Sequence, residues 1–216
     1  MRFLLSVFVV LFLSLSLFSQ ERTVVLISTS FGDMVVELYN ETPQHRDNFI
    51  KLVKERFYDG TLFHRIIPNF MIQGGDPDSK RAAPNVQLGN GGPGYTIPAE
   101  FVDELYHKKG VLAAARLSDA VNPKKESSGS QFYIVQGQVY TAEKLWSFGF
   151  QSRKKYTEEQ TKTYGTIGGT PHLDGAYTVF GEVVKGLEVI ELITNQKRDK
   201  NNRPLKDVEM SIRIIK

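Results

Sequence analysis

Short apolar runs separated by turns dominate the hydrophobic pattern of this chain. TVVLIST (Thr23 to Thr29) and DMVVELY (Asp33 to Tyr39) are rich in β-branched residues, and the turn-like Ser30-Phe31-Gly32-Asp33 lies between them. The pattern predicts a β-hairpin. Thr42-Pro43 then offers a hydroxyl N-cap followed by proline at the first helical position. Phe49, Leu52, Val53 and Arg56 follow at helical spacing, so a helix should lay one stripe on a sheet or barrel mouth and end in the Asp59-Gly60 turn. Leu62 to Ile67 and Phe70 to Gly74 read as two strands bent at Pro68-Asn69.

Residues 75–98 read as loop, because LGNGGPGY (Leu88 to Tyr95) blocks regular structure. Further strands are expected over Gly110 to Arg116, Gly129 to Gly137, Thr178 to Val184 and Val208 to Ile215, with a polar loop from Asp119 to Ser130. Leu187 to Thr194 has apolar residues at 187, 190 and 193 and is expected to be the second main helix. With about eight strands, two helices and no regular βαβ alternation, the expected class is mainly β. Closure removes exposed edges, so the expected architecture is a closed eight-stranded antiparallel barrel capped by two α-helices.

Two segments depart from this pattern. Between 138 and 165 charges and aromatics crowd together in EKLWSFGFQSRKKYTEEQTKTYG, where Thr157 and Gln160 are spaced for a capping box. This is expected to be an inserted helical excursion: either a solvated decoration or a partner or substrate surface carrying Trp146, Phe148 and Phe150. At the other departure, MRFLLSVFVVLFLSLSLFSQ, Arg2 precedes an apolar, hydroxyl-rich run that ends at Ser19. That is the layout of a signal peptide over 1–19, leaving 20–216 as the folded domain. Phe3 to Phe18 is slightly short for a span of roughly 20 residues. The expected location is the periplasm, or outside the cell, of an exporting bacterium, with a signal-anchored membrane form as the alternative.

Composition narrows the chemistry. The 216 residues are 41% hydrophobic and 24% charged, ordinary values for one well-cored domain. Lys plus Arg exceed Asp plus Glu by 27 − 24 = 3, which gives no case for nucleic acid. The absence of cysteine removes disulfides, thiolate nucleophiles and Cys-ligated metals. His45, His64, His107 and His172 form no HxH or HExxH pattern, so no metal site is expected. LGNGGPG lacks the Lys-Ser/Thr pair of a phosphate loop, and no GxSxG elbow is present. What remains is Arg65 inside an apolar strand and two glutamines. Strand parity puts Met71 with Gln73 on one face of their strand, and Gln131 with Tyr133 on one face of theirs. An amide beside a large apolar group suits a peptide-binding surface. The wet face of a half-exposed sheet would read the same way.

FHRIIPNFMIQGGD (Phe63 to Asp76), GSQFYI (Gly129 to Ile134) and LDGAYTVFGEV (Leu173 to Val183), in that order, closely resemble the cyclophilins, the cyclosporin-binding class of peptidyl-prolyl cis-trans isomerases. The resemblance runs from about Thr23 to the C-terminus, outside 138–165. It implies an eight-stranded barrel capped by two helices and an isomerase that needs no cofactor or metal. It also implies that the partners are proline-containing segments of unfolded or partly folded proteins. Position by position, it implies Arg65 as the catalytic residue. It implies substrate contacts from Phe70, Met71 and Gln73, from Ala115 and Arg116, from Gln131 and Tyr133, and from His172, Leu173 and Tyr177. His172 stands where many members have tryptophan, and Tyr177 where many have histidine. The presence of Arg65 favours an enzyme over a non-catalytic proline-peptide binding module. A monomer without a stable membrane span after signal removal is expected.

Overall fold

A computed structural model describes residues 21–216. The expected signal segment lies outside the described residues. The opening hairpin is present as β1 (Val24–Thr29) and β2 (Gly32–Leu38), and the Thr29 Oγ1 accepts from the Phe31 N–H at 3.1 Å inside the turn. Helix α1 (Pro43–Lys54) follows with proline in its first turn. It buries Phe49, Leu52 and Val53, while Arg56 falls beyond its end in a left-handed conformation (φ 56°). The Thr42 hydroxyl does not cap it and is buried without a partner. The cap is supplied instead by Glu100, whose carboxylate accepts from the backbone N–H groups of Gln44 and His45 at 3.1 and 3.0 Å. A carboxylate there also opposes the positive end of the helix dipole.

The remaining strands are β3 (Thr61–Leu62), β4 (Arg65–Ile67), β5 (Met71–Gly74), β6 (Thr96–Ile97), β7 (Val111–Ala114), β8 (Ser127–Ser128), β9 (Phe132–Val135), β10 (Val179–Lys185) and β11 (Glu209–Ile214). The remaining helices are α2 (Ala142–Ser152), α3 (Glu158–Thr166) and α4 (Leu187–Thr194). Nine strands form one curled antiparallel sheet in the order β3-β11-β1-β2-β10-β7-β9-β5-β4, and β6 pairs with β8 apart from it.

The expected count of eight strands and two helices is therefore corrected to nine strands in the main sheet and four α-helices among the described residues. The extra strand has a simple origin. The segment expected as one strand over Leu62 to Ile67 is split, because it pairs first with β11 and then with β5. The two ends of the sheet are thus joined by the chain itself, through Phe63 and His64, with no β3–β4 ladder between them. The 138–165 segment supplies α2 and α3. At α3 the capping box is complete: Thr157 Oγ1 accepts from the Gln160 N–H and Gln160 Oε1 from the Thr157 N–H.

Ladder register decides what each face of the sheet carries. Ile66, Ile72, Ile134 and Leu112 lie opposite one another across β4, β5, β9 and β7. Their side chains enter the main core with Val25, Ile27, Val36 and Ile212, covered by Phe49 of α1 and Ile190 of α4. Phe132 meets Phe49 and Phe63 edge-on at 5.6 and 6.2 Å between ring centroids, an arrangement that adds specific geometry to the area it buries. One residue along each strand, the row Arg65, Gln73, Tyr133, Ala113, Val179 crosses the same strands and β10 on the opposite face.

Candidate functional site

Arg65, Gln73 and Tyr133 of that row line a groove. A second apolar cluster contributes the buried Met71, Ala115 and Tyr133 and the partly buried Phe70, Leu173 and Tyr177 to its lining, and also holds the buried Val111, Ala113 and Val135. The cavity measures about 400 Å³, and Arg65, Phe70, Met71, Gln73, Ala115, Arg116, Tyr133, Leu173 and Tyr177 all line it. The sequence-expected residues Gln131 and His172 do not. Gln131 lies on the wall of the adjoining depression, and His172 is stacked behind Phe70 at 5.7 Å between ring centroids.

A chain of amides holds the cation. Arg65 Nη1 donates to Gln73 Oε1 at 3.0 Å, Gln73 Nε2 donates to Gln131 Oε1 at 3.1 Å, and Gln131 Nε2 donates to the Gly91 carbonyl at 2.8 Å. Arg65 has no carboxylate partner among the described residues, and burial lowers its pKa from the ordinary arginine value. A guanidinium stays protonated under such a shift, so the groove carries a permanent, half-buried cation. Arg116 is neutralised by contrast. Its Nη1 lies 2.6 Å from an Asp119 oxygen, its Nε donates to the Ala176 carbonyl at 2.7 Å, and its guanidinium lies 4.4 Å over the Tyr177 ring.

The local sequence explains the placement. Asn69 turns the chain between β4 and β5 in a left-handed conformation (φ 60°) and delivers Phe70 to the groove rim. Gly75 has φ +85°, and a Cβ there would lie 2.3 Å from the Ser130 carbonyl oxygen. Only glycine lets residues 130–131 come close enough for Gln131 to reach Gln73. Asp76 is fully buried and accepts from the Gly89 N–H, which pins the loop that walls the groove.

The far wall escaped sequence reasoning. It is formed by His64, Val86, Gln87, Leu88, Gly89, Asp199, Asn201 and Arg203. Arg203 is buried and donates to the carbonyls of Ala82 and Ala83 at 3.1 and 2.9 Å, so it stitches two loops together. His64 is buried with neither ring nitrogen hydrogen-bonded, and burial pushes its pKa down to about 4. It is a neutral imidazole beside the cation. Only its place next to Arg65 in the sequence signalled it.

The geometry therefore combines an apolar pocket, an ordered row of amides and an unneutralised guanidinium. Among the described residues there is no group of three or more His, Cys, Asp or Glu side chains placed to hold a metal ion.

Residues 24–213 match the family described as cyclophilin type peptidyl-prolyl cis-trans isomerase/CLD. A Streptococcus pyogenes protein named as a candidate bifunctional phosphatase/peptidyl-prolyl cis-trans isomerase is 38% identical over 192 residues, which cover 85% of this chain but 37% of that protein. The chain thus spans little more than a third of that relative. A candidate peptidyl-prolyl cis-trans isomerase of Staphylococcus saprophyticus is 33% identical over 195 residues, covering 88% of this chain and 90% of the relative. The crystal structure of a Cryptosporidium parvum cyclophilin type peptidyl-prolyl cis-trans isomerase superposes with a TM-score of 0.65 at 26% identity, covering 91% of this chain and 99% of that one. A second structure of that protein, in the presence of the dipeptide Ala-Pro, gives 0.64 at 26% identity, with 89% and 99% covered.

Proposed function

The chain belongs to the cyclophilin-type peptidyl-prolyl cis-trans isomerase family, and from that premise we propose that it accelerates X-Pro isomerisation in proline-containing segments of unfolded or partly folded proteins, with Arg65 as the catalytic group. The observation that carries this reading is the half-buried Arg65 guanidinium, held by Gln73 beside an apolar pocket and paired with no carboxylate among the described residues.

Rotation about an amide must give up its double-bond character, at a barrier of roughly 18–20 kcal/mol. X-Pro bonds populate both isomers and exchange over tens to hundreds of seconds without help. No covalent bond breaks, so no nucleophile is needed. As the amide twists, the prolyl nitrogen becomes pyramidal and gains a lone pair. Gln73 occupies one N–H of Arg65 and fixes the plane of the guanidinium, which leaves other N–H groups to donate to that lone pair or to the carbonyl oxygen. A hydrogen bond that strengthens only in the transition state is one that accelerates the step. Phe70, Met71, Tyr133 and Leu173 receive the proline ring, and the water they exclude raises the value of that bond. Gln73 and Gln131 face the flanking backbone. The Ala-Pro dipeptide used with the Cryptosporidium relative supports this substrate class.

An NMR exchange assay on an X-Pro peptide tests the proposal. Exchange faster than the uncatalysed rate is the expected result. Peptide binding without acceleration would make the protein a non-catalytic proline-peptide binding module.

The same reading takes the curled sheet to work as a barrel closed at Phe63 and His64, and 138–165 as an insertion into it. Arg2 and the apolar run after it support export and a role in folding exported proteins. No helix among the described residues is long and apolar enough to cross a membrane. Mass spectrometry of the protein from its native host should find an N-terminus near Gln20. Met1 retained in the membrane fraction would make the segment an anchor.

A further inference from the structure

A buried polar chain runs from the groove into the 138–165 segment, and the isomerisation step makes no use of it. Tyr133 Oη lies 2.8 Å from His107 Nε2, and His107 Nδ1 lies 2.9 Å from Asp174 Oδ1. The His107 backbone N–H donates to the same oxygen at 2.8 Å. On the other side of the carboxylate, Tyr164 Oη donates to Asp174 Oδ2 at 2.7 Å. All four residues are buried, His107 and Tyr164 completely.

The carboxylate fixes the direction of the two bonds it receives. An ionised carboxylate only accepts, so Tyr164 and His107 Nδ1 both donate to Asp174. The other ring nitrogen, His107 Nε2, shares its hydrogen bond with the Tyr133 hydroxyl. The Tyr133 hydroxyl is thereby tied beneath the groove while its ring forms the pocket wall. His107 stacks on that ring at 6.0 Å with 13° between planes, and Tyr177 meets it edge-on at 5.9 Å.

A second line of contacts joins the same two regions. The turn Pro171–Leu173 carries His172 and the groove residue Leu173. Its Pro171 carbonyl accepts from Tyr156 Oη at 3.0 Å, and His172 lies between Phe148 of α2 at 6.0 Å and Phe70 at 5.7 Å. Asp174 closes the turn and is held by Tyr164. Both ends of the turn are therefore anchored in the helical segment.

We propose that Tyr164 of α3 is a positioning residue for the proline-binding wall, acting through Asp174 and His107 on the Tyr133 ring, and that the 138–165 segment is a buttress of the site. This rests on the groove being the proline-peptide site. In a dry interior a fully satisfied hydrogen-bond chain fixes its members, and loss of one donor leaves the next acceptor unpaired.

The test is a double-mutant cycle of Tyr164→Phe and Tyr133→Phe, read as the dissociation constant of a short Ala-Pro peptide by NMR titration, well below the melting temperature of each variant. Tyr164→Phe keeps the ring and removes only the hydroxyl. It should weaken peptide binding about three- to tenfold and shift the Tyr133 ring resonances. In the Tyr133→Phe background, where the chain no longer reaches the pocket, the same change should alter binding by less than about twofold. An equal loss in both backgrounds would overturn the proposal, because Tyr164 would then act on stability and not through Tyr133. Unchanged binding and unchanged Tyr133 resonances in Tyr164→Phe would overturn it as well. Should Tyr164→Phe fold poorly, Asp174→Asn in the two Tyr133 backgrounds repeats the cycle with the same expectations. Affinity is read independently of turnover, so a protein that binds but does not catalyse still decides the point. A wild-type protein that binds no Ala-Pro peptide would instead refute the groove assignment, and this inference with it.

Discussion

Arg65 and Gln73 stand opposite each other in the β4–β5 ladder, and the Arg65 Nη1 donates to the Gln73 Oε1 at 3.0 Å. Tyr133 is the next residue across, opposite Gln73 on β9. The donor, the amide that aims it and the wall of the apolar pocket are thus adjacent positions in one sheet. A rigid sheet places such groups more accurately than loops can.

Replacing Arg65 by alanine should cost roughly 2–4 kcal/mol of transition-state stabilisation, the range for one preorganised donor. That is about 30- to 1000-fold in kcat/KM. Stability should change little, because the guanidinium faces the groove and bonds only one side chain. Arg65→Lys keeps the charge but loses the planar fork, and it should recover part of the activity at most. Isomerase rates and melting temperatures measured on the same samples check this. Full activity in Arg65→Ala would exclude the mechanism, and a large fall in melting temperature would make Arg65 a structural residue.

Gln73→Leu removes the acceptor that orients Arg65 while keeping much of the side-chain volume. The lost bond is to a charged group, worth about 1.5 kcal/mol or more, so kcat should fall roughly tenfold. A rise in KM at constant kcat would show that Gln73 only holds substrate. Separate kcat and KM values decide between the two.

Much of this site was legible because a strand repeats every two residues. Parity alone put Met71 and Gln73 on one face of their strand and Gln131 and Tyr133 on one face of theirs, but the Gln73–Gln131 bond at 3.1 Å needs the β5–β9 register that sets Gln73 opposite Tyr133, which parity does not give. The capping box at Thr157 and Gln160 was equally readable, since its partners are three residues apart. What stayed hidden depends on distant partners. Glu100 caps a helix 56 residues before it, and Arg203 binds a carbonyl 120 residues away to build the far wall. Nothing in residues 86–89 or 199–203 shows a period. The split of the expected strand over 62–67 also has no local signal, because it reflects a change of partner from β11 to β5.

His64 should make stability depend on pH. Its folded pKa is about 4 against an ordinary value of 6.5, because burial disfavours the charged imidazole. Between those two values the unfolded chain binds more protons than the folded one, so stability rises with pH. The contribution is fully present above about pH 6.5, declines as pH falls through this window and is gone by about pH 4. Its upper size is on the order of 3 kcal/mol. His45 and His172 are shifted in the same direction by burial and add to the slope. Urea melts at several pH values should show a shallower dependence in His64→Leu than in the wild type. Parallel curves would mean that His64 is solvated in the folded protein.

His172 should limit cyclosporin binding, the ligand that the cyclophilin resemblance brings in. Where other members carry tryptophan, the indole forms part of the drug surface and donates a hydrogen bond. Here the imidazole stacks on Phe70 at 5.7 Å and lies 6.0 Å from Phe148, so it packs the rim and covers less apolar area. Losing a tryptophan anchor costs roughly 2 kcal/mol or more, or about 30-fold in affinity. His172→Trp should therefore bind cyclosporin clearly more tightly. Turnover of a small X-Pro peptide should change little, because Arg65 and the proline pocket are lined by other residues. Titration of both proteins with the drug, alongside their isomerase rates, separates the effects. Equal affinity would shift the cause to Arg116 and Tyr177, whose cation–ring pair at 4.4 Å sits on the same groove. A fall in rate together with tighter drug binding would show instead that the rim and the catalytic wall move as one.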